Sequence, residues 1–324
     1  MKRRAVARCF LAASLCCLIA LGACTTPPPS APDSTESVPV IEAELIASDP
    51  SWGNTEGPAV DSSGALYFTS RGSYKGIVRW TAESGAEQFA DVATMAGPGG
   101  LWIDSEDNIY LTATNERQVQ RRAPHGAVTV VAEGFEADSA VAKGPNDITV
   151  SESGVVYFTD PNGYYGESQP GTVYSVDSVG QVEVFDATVV GPNGIVLSAD
   201  DRTLYVANNV AESVSNLVRW PLAEDGSAAG PKEVVAEIEP CVADGMAVDM
   251  DGMVWLTCYS YGTAHRIDPS TGAVLDQVTT GQKALTNAVF GRGTDAGHLY
   301  LTSSDMERVT GYVYRARVPT PGAR

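Results

Sequence analysis

The 324-residue sequence predicts an all-β fold, a six-bladed β-propeller whose ring is closed by an N-terminal strand that completes the last blade. The first observation behind this is a repeat. Six segments opening at Glu56, Gly99, Asn146, Asn193, Asp244 and Asn287 share a Gly-Pro or Asp-Gly type of opening, an apolar alternation, a tight polar turn and a second strand-like run. Their starts differ by 43, 47, 47, 51 and 43 residues, the spacing of four-stranded propeller blades. The second observation is period-2 patterning bounded by turn residues, the signature of antiparallel strands. The third is that no convincing run of helical periodicity occurs between residues 41 and 318.

Taken in order, the first unit reads EGPAVDSSGALYFTS from Glu56, followed by GIVRWTA and EQFADV. The second opens GGLWIDSEDNIYLTAT, and the third runs NDITVSESGVVYFTD, TVYSVDS and QVEVFDA. The fourth opens NGIVLSADDRTLYVANN. The fifth runs DGMAVDMDGMVWLTCYS, TAHRIDP and AVLDQVTT, with Pro-Ser-Thr-Gly as its outer turn. Asp249-Met250-Asp251-Gly252 faintly resembles a calcium loop, but it lacks the remaining ligands and reads as the fifth unit's hairpin turn. The sixth unit, NAVFGRGTDAGHLYLTSS, runs out after GYVYRARV. Ile41–Ala47 is expected to supply its fourth strand and seal the ring.

Ahead of the repeat, Lys2, Arg3, Arg4 and Arg8 precede an apolar stretch from Cys9 to Leu21, too short for a comfortable permanent span, which ends in Leu21-Gly22-Ala23-Cys24. This resembles a bacterial lipoprotein signal. The resemblance implies removal of residues 1–23, lipidation of Cys24, and an exported, membrane-anchored protein facing the periplasm or the cell exterior; an ordinary cleaved signal is the alternative. Residues 24–40 are Pro/Ser-rich, the composition of an extended tether. The propeller is expected over 41–318, with a tail at 319–324. Only Cys241 and Cys258 belong to the body, and either a disulfide or two buried thiols suits them.

The balance of 21 basic and 40 acidic side chains gives a net charge of −19. Without the first 24 residues it is 17 against 40, or −23. Such a chain lacks the Lys and Arg that counterion release on nucleic acid requires, so no nucleic-acid partner is expected. The 44% hydrophobic content is ample for a core and argues against disorder over most of the length.

In a radial repeat the residues opening the innermost strands meet around one axis. Five of the six, Glu56, Asn146, Asn193, Asp244 and Asn287, carry side-chain oxygens, and Gly99 leaves an opening for substrate. Two carboxylates with amide carbonyls and no thiol or imidazole suit Ca2+, with Mg2+ or Mn2+ as alternatives; Zn2+ fits less well because it recruits His or Cys. Glu56, Asn146, Asn193 and Asp244 are the candidate metal set. Asn287 is equally well explained as a turn residue.

At these residues the chain resembles the senescence marker protein, gluconolactonase and luciferin-regenerating enzyme family. The match rests on EGP at Glu56, ND at Asn146 and Asp147, NGI at Asn193, DGM at Asp244 and YFTDP from Tyr157 to Pro161, within residues 50–312. The resemblance implies a six-bladed propeller with an axial divalent metal, usually Ca2+, that hydrolyses lactones or organophosphates. It implies Glu56, Asn193 and Asp244 as ligands and Asn146 as a ligand or substrate contact. Sugar-lactone hydrolysing members commonly carry an arginine two residues before the asparagine matched to Asn146. Here that position is Gly144, with Lys143 one step back. Another lactone or ester is therefore at least as well suited as gluconolactone.

Asp244 is the expected general base, a carboxylate within reach of a metal-bound water. The loops after each second strand should line the mouth, offering Arg71, Asn115, Asp160, Asn208, Tyr261 and Asp305, with Asn162–Pro170 as a lid. Of these, Asn115 and Asn208 are the expected substrate contacts. His125, His265 and His298 lie away from the axial positions, and no GxSxG or HExxH motif accompanies them. The expectation is a monomeric Ca2+-dependent hydrolase of a small lactone or ester. The alternatives are a non-catalytic ligand- or protein-binding propeller and a metal-assisted lyase of the same architecture.

Overall fold

The computed structural model describes residues 37–91, 98–135, 144–161 and 170–323. Cys24, most of the tether, Lys143 and residues 162–169 of the expected lid lie outside the described residues.

Period-2 alternation becomes six antiparallel sheets, one per repeat. Blade 1 comprises Thr55–Val60, Leu66–Arg71, Lys75–Thr81 and Gly85–Asp91. Blade 2 comprises Pro98–Ile103, Ile109–Ala113, Gln118–Arg122 and Val128–Ala132. Blade 3 comprises Ile148–Val150, Val156–Asp160, Gly171–Val176 and Val182–Val189, and blade 4 Pro192–Leu197, Thr203–Ala211, Val214–Pro221 and Glu233–Ile238. Blade 5 comprises Val242–Val248, Val254–Tyr259, Thr263–Ile267 and Val274–Thr279, and blade 6 begins with Ala284–Phe290, His298–Ser304 and Gly311–Arg317. Innermost strands touch their neighbours in cyclic order, and that of blade 6 meets that of blade 1. Among the described residues the only helical element is a 3-10 turn at Gly293–Asp295.

Ring closure differs in detail from the single strand expected over Ile41–Ala47, because the chain pairs twice. Val40–Glu42 runs parallel to the outer strand of blade 5, with Val40 opposite Gln277. Beyond Ala43, Glu44–Asp49 runs antiparallel to Gly311–Arg317 and completes blade 6. Ile41 and Ala43 pack on the apolar cluster between blades 5 and 6, so the extra pairing covers an exposed edge and buries apolar area together. Docking starts before the expected boundary, since Gln277 N–H donates to Pro39 O at 2.8 Å. The last residues, expected as a tail, also bond to the ring through Gly322 N–H to Ala296 O and Ala323 N–H to Val248 O, both 3.1 Å.

The core is not at the centre. Six apolar clusters fill the gaps between neighbouring blades, for example Trp52, Phe68, Trp80, Tyr300 and Val313 between blades 6 and 1. Stability is thus carried by the wedges, and the axis is left free for polar groups.

Candidate metal centre on the propeller axis

Hydroxyls on the second strands hold the axial residues at one depth. Thr69 Oγ1 donates to Gly99 O at 3.0 Å, Thr112 Oγ1 to Asn146 O at 2.7 Å, and Thr159 Oγ1 to Asn193 O at 2.6 Å. Blade 4 has Ala207 in this place, and Asn209 Nδ2 substitutes by donating to Ala243 O at 2.9 Å. Thr257 Oγ1 donates to Thr286 O at 2.9 Å, and Thr286 Oγ1 closes the ring to Thr55 O at 2.8 Å. Each bond but the last ties a second strand to the next blade's axial residue or the one before it; the last starts from Thr286 on the innermost strand of blade 6. Close approach is also required here: a Cβ on Gly194 would collide with Asp244 O, and one on Gly100 with the Asp147 carboxylate.

The structure brings Glu56, Asn146, Asn193 and Asp244 together in one pocket, lined further by Asn54, Arg71, Asn209, Val242, Tyr259 and Arg308. Asp244 and Asn193 are each 7% exposed. Burial raises the Asp244 carboxyl well above the ordinary range, and the nearby Glu56 and Asp147 charges push the same way. Burial also raises Glu56, against the opposing pull of Arg71, the Gly57 N–H, Arg308 and Asn54. Asn193 Oδ1 is buried without a hydrogen-bond partner among the described residues, a costly state for a carbonyl oxygen. An orphaned acceptor beside two carboxylates that resist charging is an arrangement that a hard divalent cation would satisfy. No group of three or more His, Cys, Asp or Glu side chains placed to hold a metal occurs among the described residues. Two of the four axial residues are asparagines rather than acids.

Beneath this pocket the axis changes character. Asp147 and Asn287, each 6% exposed, meet where Asn287 Nδ2 donates to Asp147 Oδ2 at 3.2 Å. Burial, reinforced by Glu56, raises the Asp147 carboxyl to about 7. Both line a second cavity formed by the later residues of the innermost strands, including Val60, Ile103, Leu197, Val248 and Phe290.

Other sequence-derived candidates are placed as follows. Arg71 lines the axial pocket. Asn115 is exposed in a turn, and Asn208 Oδ1 accepts from Val190 N–H at 2.9 Å; neither lines that pocket. Asp160 is fully buried and paired with Arg117 at 3.0 Å. Gly144 has a φ of 85°, and a side chain there would collide with Thr114 O, so this position cannot carry a donor. Cys241 and Cys258 form a disulfide that ties the residue just ahead of Val242–Val248, the strand carrying Asp244, to the neighbouring strand Val254–Tyr259. Asn54, Asn209, Tyr259 and Arg308 were not singled out from sequence. The recurring Tyr-Phe-Thr, Tyr-Leu-Thr and Trp-Leu-Thr triplets mark the second strands, and the exception at Ala207 points to Asn209 two residues on.

A profile described as SMP-30/Gluconolactonase/LRE-like region matches residues 54–305. The chain belongs to this family. Among curated relatives, it is 27% identical over 188 residues to the gluconolactonase of Zymomonas mobilis, covering 51% of each chain. It is 31% identical over 137 residues to Bos taurus regucalcin, covering 42% of this chain and 45% of the relative. The chain thus spans about half the length of the curated relatives it matches. A solved structure titled as a calcium-binding protein, regucalcin from Agrobacterium tumefaciens, superposes with a TM-score of 0.73 at 22% identity, covering 88% of this chain and 97% of that one. That likeness establishes the six-bladed fold.

Proposed function

We propose that the protein is a divalent-metal-dependent hydrolase of a small lactone or related ester, with Ca2+ as the metal and Glu56, Asn146, Asn193 and Asp244 as its holders. The observation that carries this is the orphaned Asn193 Oδ1 in a pocket with two carboxyls raised by burial. The names of the gluconolactonase and regucalcin relatives support the same reading. A bound divalent cation would supply Lewis-acid polarisation of a carbonyl oxygen and a more acidic water. Asp244 accepts the proton of the attacking water as general base. Asn146 contacts the substrate beside the metal. Asn115, in a turn, and Asn208, on the strand Thr203–Ala211, contribute only if substrate binding moves them toward the mouth, a rearrangement that substrate-bound coordinates would reveal.

A panel of lactones and esters assayed with and without chelator tests the reading. Hydrolysis of at least one member, lost with chelator and restored by Ca2+, is expected. Metal binding with no chelator-sensitive hydrolysis of any member would shift weight to a binding propeller.

The protein acts, in this proposal, as an exported monomeric lipoprotein anchored through Cys24. The Cys241–Cys258 disulfide supports an oxidising compartment. Labelling with radioactive palmitate should mark the wild type and not Cys24→Ala; equal labelling would refute the anchor.

A further inference from the structure

Hydrolysis of a lactone or ester moves two protons. One leaves the attacking water, and the other must reach the oxygen that departs when the C–O bond breaks. In the axial pocket Asp244 is given to the first and Glu56 to holding the cation, while the asparagines and arginines have no readily transferred proton. Among the described residues lining this pocket, Tyr259 alone carries a hydroxyl.

Tyr259 ends the second strand of blade 5 and stands opposite Val242, two residues ahead of Asp244; all three line the pocket. Its ring is 7% exposed and packs against Val242 and Ala284. Its oxygen is held as well. Arg308 Nε and Nη2 each donate to Tyr259 Oη at 3.2 Å, and the guanidinium carbon stands 5.7 Å from the ring centroid. The turn that carries Arg308, at a φ of 57°, is closed by Asp305, whose carboxylate accepts from Val309 N–H at 2.7 Å and Thr310 N–H at 2.8 Å. A guanidinium only donates, so both contacts use the phenol oxygen as acceptor and leave its hydrogen uncommitted. No acceptor for that hydrogen occurs among the described residues. The same two N–H groups are ready partners for the phenolate oxygen left after a proton transfer.

We propose that Tyr259 is a further catalytic residue of this pocket, the general acid of the hydrolysis. As the scissile C–O bond breaks, its electron pair stays on the departing oxygen, and that oxygen takes the Tyr259 proton. Asp244 holds the proton of the attacking water. Tyr259 regains a proton from solvent as Asp244 releases one, so each turnover consumes one water and leaves the protein unchanged. The inference rests on the metal-dependent hydrolase reading above.

An aliphatic alkoxide departs poorly without a proton, whereas a phenolate needs none. The test therefore compares two six-membered lactones on the Ca2+-saturated full-length protein: δ-valerolactone, whose departing oxygen is an alkoxide, and dihydrocoumarin, whose departing oxygen is a phenolate. Tyr259→Phe should lower kcat/KM for δ-valerolactone ~10²-fold or more and for dihydrocoumarin by about threefold at most, the pattern of a lost general acid. Calorimetry should give the variant the Ca2+ affinity of the wild type, because the hydroxyl is not among the metal's holders. Equal losses on the two lactones, no loss on δ-valerolactone, or a loss of Ca2+ affinity that accounts for the slower turnover would overturn the inference and leave the hydrolase reading intact. Failure of the Ca2+-bound wild type to open either lactone would overturn it too, and failure on every member of the lactone and ester panel would overturn the hydrolase reading with it.

Discussion

The same six innermost strands build two opposite environments on one axis. At their leading ends Glu56, Asn193 and Asp244 meet Arg71 and Arg308 in a polar pocket. A few residues later the strands present Val60, Ile103, Leu197, Val248 and Phe290 to an apolar cavity, divided from the first by Asp147 and Asn287. The difference teaches how a propeller separates chemistry from stability. Because the apolar clusters lie between blades, one end of the axis can collect buried carboxyls that the fold alone would not favour. The other end continues the apolar packing inward. Register irregularities after Glu56, Pro192 and Ala243 mark the points where the strands change from one role to the other.

This contrast is easiest to break at Asp244. Asp244→Asn should reduce turnover ~10²- to 10⁴-fold, about 3 to 5 kcal/mol in the barrier, with the melting temperature little changed. Full activity in a steady-state assay would remove Asp244 as the base. The converse change is Leu197→Ala, which deletes a side chain 1% exposed between blades 3 and 4. It should cost about 2 to 5 kcal/mol in denaturant unfolding while leaving Ca2+ affinity near that of the wild type. A large loss of Ca2+ affinity would show that the two ends are not separable.

A smaller effect sharpens the comparison through pH. Asp147 is raised to about 7, and Glu56 and Asp244 are raised as well. The metal-free folded state therefore holds protons that the unfolded chain has released, and its stability falls as pH rises from about 4 to about 7. A bound cation offsets that penalty. The gain in melting temperature on adding Ca2+ should accordingly grow across this window, and a gain independent of pH would contradict the role given to these carboxyls.

Much of the fold was legible because each blade repeats its own punctuation. Segments such as ALYFTS and NIYLTAT show alternation and turn residues together, and six of them at nearly constant spacing leave few other architectures. The doubled N-terminal strand was not legible, since Val40–Glu42 pairs with residues more than 230 positions away and its partner is chosen by edge exposure rather than by local pattern. At the site, Glu56, Asn193 and Asp244 could be read because they open their repeats. Arg308 and Tyr259 could not: one lies in a turn set by a positive φ, the other at a strand end, and only the closed ring brings them together. Asn208 and Asn209 are neighbours on the strand Thr203–Ala211, and the alternation of side chains along a strand puts Asn209 rather than Asn208 in the pocket.

Calorimetric titration of Ca2+ into the wild type, Glu56→Gln and Asn193→Ala tests the central claim most directly. The wild type should bind one ion, and each variant, having lost one axial oxygen or its charge, should bind it at least about tenfold more weakly. Wild-type and variant isotherms that coincide, or a wild type that takes up no ion, would contradict an axial metal centre held by Glu56, Asn146, Asn193 and Asp244.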